Sequence, residues 1–323
     1  METIEEYKPN YSSVIKAVGL DKTIKNFAEL LDYISSRIFV MPKFESYLNG
    51  RILNCNGIDA SLISLHGIEK LCEIGDGIDA VMLIRKIRDN LFLDLFLISC
   101  SEDWDETDVE LPQFSELLND QNLLINVLNE FSLRQTNYEK NNRYKIAVNK
   151  WREGKLIDNN DKITKIEFFG FSKYLNFLKS NEVFAECYNK YLKNHFDKLD
   201  AFLNDYTHSN SPSKLNNHSY TVNNRLPGLY KQINQCIITL KYLFVVSLYF
   251  INSTYFQTEE YENCIEFTNE DPEGLQYNVI CDIVDMFEII KEKDINLHKY
   301  LIEHNKYCMK MQYDDYKGGD QNV

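Results

Sequence analysis

Glycine and proline are scarce in this sequence, which has 12 Gly and 6 Pro among 323 residues. An all-β sandwich needs many turns, and a glycine-rich nucleotide fold needs a loop that cradles phosphate, so both are disfavoured. The motifs G-x-x-x-x-G-K-[ST], G-x-G-x-x-G, G-x-S-x-G and H-E-x-x-H do not occur in the chain. These absences argue against P-loop and dinucleotide sites, nucleophile-elbow hydrolases and zinc proteases.

Paired metal ligands are also missing. The eight cysteines are spread singly, without a C-x-x-C pair, which is typical of buried reduced thiols in a cytosolic protein. Among the six histidines, only His298 and His304 approach the spacing of zinc ligands, and no cysteine pair accompanies them. We therefore expect no metal and no cofactor, and a cytoplasmic location.

We expect neither a signal peptide nor a membrane-spanning segment in this sequence. Residues 1–6 contain neither the basic region nor the apolar region of a signal peptide. The longest apolar run, at residues 237–251, contains Lys241 and is shorter than the roughly 20 residues that a span needs. We expect this run to be a buried core helix, and we expect no membrane partner.

Apolar residues recur along the chain at the helical spacing of three and four residues. This pattern predicts an all-α fold, a multi-helix bundle of roughly ten helices. Two apolar helices, at residues 79–100 and 226–251, are predicted to lie at its centre, and a last helix is predicted at about residues 296–311. Asp79 is placed to cap the first of them, and Asp21 is placed to cap a helix near the N-terminus.

The chain shows no internal repeat and no sustained heptad pattern. Residues 1–323 are therefore expected to form a single helical globular unit. Within it, residues 11–74 could form a small N-terminal helical subdomain. The polar stretch at residues 313–323 is expected to be a disordered tail.

Charge is unevenly distributed along the chain, whose net charge is −14. Residues 131–251 contain 18 basic and 10 acidic residues, whereas the segments on either side are both acidic. The basic middle third is consistent with lysines on ordinary solvated helix surfaces. It is also consistent with a local surface that faces an anion or RNA.

Two arginines lie beside the buried stripe of the predicted central helix. Arg85 and Arg88 are three residues apart, so they are neighbours on the helix surface. An arginine there must find a carboxylate, a helix C-terminus or an anion, because burial of an unpaired charge is prohibitive. A structural pair with Asp89 or with a distant acid is one interpretation, and an anion site is the other.

The chemically richest stretch follows a predicted helix at residues 186–206. On that helix, His195, Leu199, Phe202 and Tyr206 are predicted to share one face. Pro212 lies in a polar segment that prevents the helix from continuing.

The end of this helix carries the candidate site residues. Asp205 and His208 are three apart, and His208 titrates near neutral pH, so both are candidates for acid–base chemistry. The neighbouring residues Asn204, Tyr206 and Asn210 are candidates for ligand binding.

Residues 203–210, taken with residues 83–91, resemble uncharacterised bacterial all-helical proteins of HEPN-like character. The resemblance implies a helical bundle, often dimeric, in a group that includes RNA-cutting toxins and defence effectors. Ribonucleases of that group carry Arg and, four to six residues later on the same helix, His. No arginine in this sequence is followed by His at that spacing.

The resemblance implies an RNA-binding or metal-independent RNA-cleaving protein with a site at Arg85, Arg88, Asp205 and His208. Such cleavage needs a base near the 2′-OH and a cation near the scissile phosphate, which His and Arg can supply. RNA, a partner protein and a second copy of the chain are the partners that this reading indicates.

A non-enzymatic helical interaction module or scaffold is the alternative function. In that case Asn204, Asp205 and His208 cap the helix end, and Asp205 pairs with an arginine from the central helix. One feature separates the two functions. An enzyme needs His208 and an arginine within reach of one solvent-accessible cleft, whereas a scaffold leaves them buried and mutually satisfied.

Overall fold

The computed structural model describes residues 11–37, 56–101, 170–207, 226–261, 264, 278–306 and 309–310. These residues form ten α-helices and no strand, which confirms the predicted all-α bundle. The helices are α1 Tyr11–Ala17, α2 Leu20–Arg37, α3 Asn56–Glu73, α4 Gly77–Ser101, α5 Phe171–Leu178, α6 Glu182–Cys187, α7 Lys193–Thr207, α8 Leu226–Asn252, α9 Cys281–Lys293 and α10 Ile295–Glu303. Buried hydrophobic side chains from all ten helices belong to one core cluster.

Helix α4 is the centre of the bundle and packs against α3, α5, α7 and α8. It follows α3 after a short turn, in which Gly75 adopts a left-handed φ of 91°. A Cβ at Gly75 would also lie 2.7 Å from the ring of Tyr11. Glycine is therefore required at this turn for two reasons, its conformation and the close approach of α1.

The predicted caps lie inside their helices. Asp76 Oδ1 accepts a hydrogen bond from the backbone N–H of Asp79 at 3.1 Å, so Asp76 caps α4. Asp21 likewise lies within the first turn of α2, which already begins at Leu20. Both Asp21 and Asp79 are still favourably placed, because a negative charge in the first turn interacts well with the helix dipole.

Helices α3 and α4 approach closely at the start of α3. A Cβ added to Gly57 would lie 2.6 Å from the carbonyl oxygen of Asn90 and 2.7 Å from Oδ1 of Asp94. The buried Asp94 carboxyl accepts the backbone N–H of Ile58 at 2.7 Å, and the N–H of Gly57 also bonds to it. A side chain of α4 thus caps the N-terminus of α3, and only glycine fits between them.

Helix α8 is the predicted core helix. Together with the 3-10 turn that follows it, α8 forms the segment Leu226–Phe256, which has a mean hydropathy of 1.6 and is long and apolar enough to cross a membrane, but 67% of its most apolar window is buried inside the protein. Lys241 lies midway along this segment and is half-buried, and its Nζ is 3.3 Å from the carbonyl oxygen of Asn26 and 3.3 Å from Oδ2 of Asp282. The lysine therefore connects α8 to both α2 and α9.

The C-terminal helices differ from the prediction at their ends. The helix predicted at 296–311 ends at Glu303, because Asn305 forms hydrogen bonds in both directions with the backbone of Met309, each at 2.9 Å. Such side-chain bonds offer the backbone an alternative to the helix. The predicted tail at 313–323 lies outside the described residues.

Candidate functional site

The two segments that carry the candidate residues, α4 and α7, pack against each other in antiparallel directions. The rings of Phe92 and Phe196 are 5.4 Å apart between centroids, and Arg88 bonds to Asp200. A step of four residues toward the N-terminus of α4 therefore matches a step of four residues toward the C-terminus of α7. This pairing brings the N-terminal half of α4 to the C-terminal end of α7.

Helix α7 continues from α6 through a π-helical turn at Tyr188–Leu192, so the helix predicted at 186–206 is part of a longer helical segment. One face of α7 packs toward α8. His195 contacts the ring of Tyr242 at 5.3 Å between centroids, and Phe202 contacts Tyr206 at 4.9 Å. Burial lowers the pKa of His195, and the positive charge of Lys198 acts in the same direction.

Arg88 is buried at the junction of α4, α5 and α7, with 4% of its surface exposed. Its Nη1 donates to Asp200 Oδ1 at 2.5 Å, and its Nε and Nη2 donate to Asp89 Oδ1 at 2.9 and 2.7 Å. The guanidinium also lies 4.1 Å from the centroid of the Phe171 ring, at the start of α5. The predicted structural pairing with Asp89 or a distant acid is confirmed for Arg88.

Asp200 is the acid from α7 in this junction. Burial raises the pKa of its carboxyl above the ordinary value, while the adjacent Arg88 guanidinium opposes that rise. Asp205 does not take this position, because the carboxylates that Arg88 contacts belong to Asp89 and Asp200. Nine residues separate Asp205 from Phe196, which places Asp205 on the opposite side of α7, where it is exposed.

Sequence reasoning overlooked Asp200, although a signal for it exists. Asp200 lies four residues after Phe196 and three before Leu203, both of which are buried. A charged residue on the buried stripe of a helix needs an opposite charge from a neighbouring helix. The only cluster of basic residues predicted on a core helix is the one around Arg85 and Arg88.

Arg85 lies one turn before Arg88 and is half-buried. It makes no hydrogen bond or ion pair with any residue that the structure describes. Continuing the antiparallel pairing by one turn brings Arg85 level with Leu203 and Asn204 on α7. The two neighbouring arginines of α4 therefore differ. The guanidinium of Arg88 is hydrogen-bonded to two carboxylates, whereas that of Arg85 has no hydrogen-bond acceptor among the described residues.

The residues at the end of α7 can be placed as far as Thr207. Asn204 and Asp205 are exposed, and Tyr206 is half-buried. Burial raises the pKa of Tyr206, and the charge of Asp205 adds to the effect, so this hydroxyl stays protonated at neutral pH. His208 and Asn210 lie outside the described residues, and their roles in the site stay predictions.

Within the described ranges, no three His, Cys, Asp or Glu side chains are grouped so that they could hold a metal ion. Besides carboxylates, the described residues where α4 meets the end of α7 offer the guanidinium of Arg85, the amide of Asn204 and the phenol of Tyr206. No family model, curated protein or solved structure matches this chain. The function has to be argued from these residues.

Proposed function

We propose that this chain is a cytoplasmic, HEPN-like helical protein that binds RNA where α4 meets the end of α7, with Arg85 contacting a phosphate. The observation that supports this most directly is the state of Arg85, which is half-buried and has no partner among the described residues. A partly desolvated guanidinium gains most from an anion that it can bind with two parallel hydrogen bonds. Phosphate is such an anion.

Arg88 has a positioning role in this proposal. Its donors are already used by Asp89 and Asp200, so it has none to offer a phosphate. By connecting α4 to α7 it holds Arg85 at the level of Asn204. The site is thus built on two helices whose relative position is set by a buried ion pair.

RNA cleavage at this site would proceed without a metal. Arg85 would stabilise the charge that develops on the phosphate, and His208, the residue after the last one of α7, would take the proton from the 2′-OH. The 2′-oxygen would then bond to phosphorus to give a 2′,3′-cyclic phosphate, and the bond from phosphorus to the 5′-oxygen would break. The leaving 5′-oxygen would take a proton from protonated His208 or from water. Asn204, Tyr206 and Asn210 would contact the nucleotide. Asp205, on the far side of α7, would act on the site only through solvent or through the orientation of His208.

RNA binding can be tested with Arg85→Ala and with Lys86→Ala as its matched control. Lys86 is the next residue, carries the same charge and is exposed. Fluorescence anisotropy with a single-stranded RNA oligonucleotide at several salt concentrations should show about tenfold weaker binding for Arg85→Ala. The slope of log affinity against log salt should fall by about 0.7, the value for one lost phosphate contact to a single strand. Equal effects of the two substitutions would contradict a specific contact at Arg85.

Cleavage can be tested by expressing the parent and His208→Ala in cells and examining growth and total RNA after induction. Fragmented RNA and slowed growth that disappear in the variant would support a nuclease. Intact RNA in both strains, with Arg85-dependent binding in vitro, would leave an RNA-binding protein without cleavage.

A non-enzymatic interaction module is the second candidate. The observation that favours it is Arg88, which is buried and satisfied as expected for a scaffold. If neither Arg85→Ala nor His208→Ala changes RNA binding or RNA integrity, and both variants are folded, the result supports a non-enzymatic interaction module over an RNA-binding protein. Capture of a partner protein that is lost on substitution at the protein surface would then support it.

A further inference from the structure

A groove of about 580 Å³ runs between α2 and α3, away from the junction of α4 and α7. Its floor is aliphatic and is formed by Ile24, Ala28 and Leu62. Ser35 Oγ donates to Asp59 Oδ1 at 2.6 Å, so the end of α2 lies beside the start of α3 and the two helices are antiparallel. The groove therefore follows two neighbouring helices along their length.

The length of the groove matches a helix. Its lining extends along α2 from Asp21 to Asp32 and along α3 from Leu62 to Glu69. These ranges correspond to about 16 Å of α2 and about 10 Å of α3, or two to three helical turns. A third helix of that length could lie in the groove and place side chains at i, i+3 or i+4, and i+7 on its floor.

The rim of the groove is acidic. Its carboxylates come from Asp21, Glu29, Asp32 and Glu69, and its basic side chains from Lys22 and Lys25. Lys25 lies 3.6 Å from Glu29, so these two charges largely cancel each other. The remaining charges are three negative and one positive, which favours a positively charged occupant.

From this groove we infer an interaction surface for a basic amphipathic helix of a partner protein. Its aliphatic face covers Ile24, Ala28 and Leu62, and its Lys or Arg side chains meet Asp21, Asp32 and Glu69. The two antiparallel helices that wall the groove match a helical occupant, and the acidic rim matches a basic one. This inference does not depend on RNA binding at Arg85.

The test uses the full chain and a fluorescein-labelled, 14-residue Leu/Lys peptide with leucines at i, i+3, i+4 and i+7. A peptide of the same composition with the leucines scrambled controls for general attraction to a protein of net charge −14. In anisotropy titrations, the amphipathic peptide should bind at least about tenfold more tightly than the scrambled one.

The variants Asp32→Lys and Glu69→Lys should each weaken binding of the amphipathic peptide by about tenfold. Glu292→Lys is the matched control, because it makes the same charge reversal at an exposed position on α9.

Equal binding of the two peptides would overturn the inference, as would equal effects of Glu69→Lys and Glu292→Lys. Displacement of the amphipathic peptide by spermidine at equal charge concentration would also overturn it, because the groove would then recognise a small polyamine. A dimer in light scattering that Asp32→Lys dissociates would assign the groove to a second copy of the chain instead.

Discussion

Helix α4 buries two ionisable side chains of opposite sign, and the protein stabilises them in different ways. Arg88 is 4% exposed on the side of α7, and Asp94 is 1% exposed on the side of α3. Arg88 is surrounded by the carboxylates of Asp89 and Asp200. Asp94 has no cation beside it in the described part of the chain, and it accepts backbone N–H groups at the N-terminus of α3.

An ion pair and a helix N-terminus do not stabilise a buried charge equally well. The carboxylates of Asp89 and Asp200 balance the buried charge of Arg88. The N–H groups of Gly57 and Ile58 supply only partial charges, and burial therefore raises the pKa of Asp94 well above its ordinary value. The contact of α4 with α7 thus depends on charge pairing, and its contact with α3 depends on a hydrogen-bonded carboxyl and on close packing.

The largest expected effect comes from breaking the ion pair. Arg88→Met should lower the free energy of unfolding by about 3 kcal/mol, because it leaves Asp200 without its cation. The value is at the low end of the range for buried pairs, since the Asp200 side chain is 34% exposed and can recover some hydration. Urea unfolding followed by circular dichroism measures the loss.

Arg85→Met is the matched control for that prediction. Arg85 has no partner among the described residues, so its removal should change the free energy of unfolding by less than about 1 kcal/mol. The double variant Arg88→Met/Asp200→Leu should recover part of the loss, because Asp200 no longer remains unpaired and the Asp89 side chain, which is 41% exposed, can be hydrated. Equal losses for Arg85→Met and Arg88→Met would contradict the difference between the two arginines.

A smaller effect is expected from the contact of α3 with α4. Gly57→Ala should destabilise the protein by about 1–3 kcal/mol, because the added Cβ would lie 2.6 Å from the Asn90 carbonyl oxygen. Gly228→Ala in the first turn of α8 is the control, since a Cβ there meets nothing within 4 Å. The free energy of unfolding of Gly228→Ala should be higher than that of the parent by about 0.4–1 kcal/mol. Thermal unfolding of the three proteins would show shifts of opposite sign, and a shift of the same sign would argue against the close approach at Gly57.

The smallest expected effect is the change in the free energy of unfolding per pH unit that Asp94 causes. The pKa of Asp94 is higher in the folded than in the unfolded protein, so its contribution to stability is complete below the unfolded pKa of about 3.9. It is lost as the pH rises through the folded pKa, because the unfolded state then binds fewer protons. The parent should therefore lose stability relative to Asp94→Asn as the pH rises above 4, by at most about 1.4 kcal/mol per pH unit.

Urea titrations of the parent and Asp94→Asn between pH 4 and pH 8 measure this difference. Asp94→Asn keeps an acceptor for the N–H of Ile58 and cannot titrate. A difference in stability that is constant over the range would mean that Asp94 stays charged in the folded protein. The cap of α3 would then contain a buried charged group, as the Arg88 junction does.

The helices could be predicted well from the sequence because each is encoded by its own residues. The apolar periodicity of α4 and α8 places them in the core, as the structure confirms. The capping residues were predicted less accurately. Asp79 and Asp76 are equally good capping residues, and only the position of the first turn of α4 decides between them. The end of α10 was missed because the bonds between Asn305 and Met309 compete with the helix.

For the candidate site, the sequence indicated that Arg85 and Arg88 need partners, but it did not distinguish them. Both arginines are next to the same buried stripe. Which of them becomes saturated depends on the register between α4 and α7, and this register places Asp200, rather than Asp205, opposite Arg88. Register is a property of two packed surfaces, and no local pattern in either helix specifies it.

By itself, the sequence determined the fold class, the central helices and the requirement that the charges on α4 be neutralised. These follow from hydrophobic periodicity and from the cost of burying a charge, which act on each segment alone. The tertiary structure decided that Arg88 meets Asp200, that Asp94 caps α3 and that a groove opens between α2 and α3. Each of these depends on the distance between residues far apart in the chain, which only the packing of the helices sets.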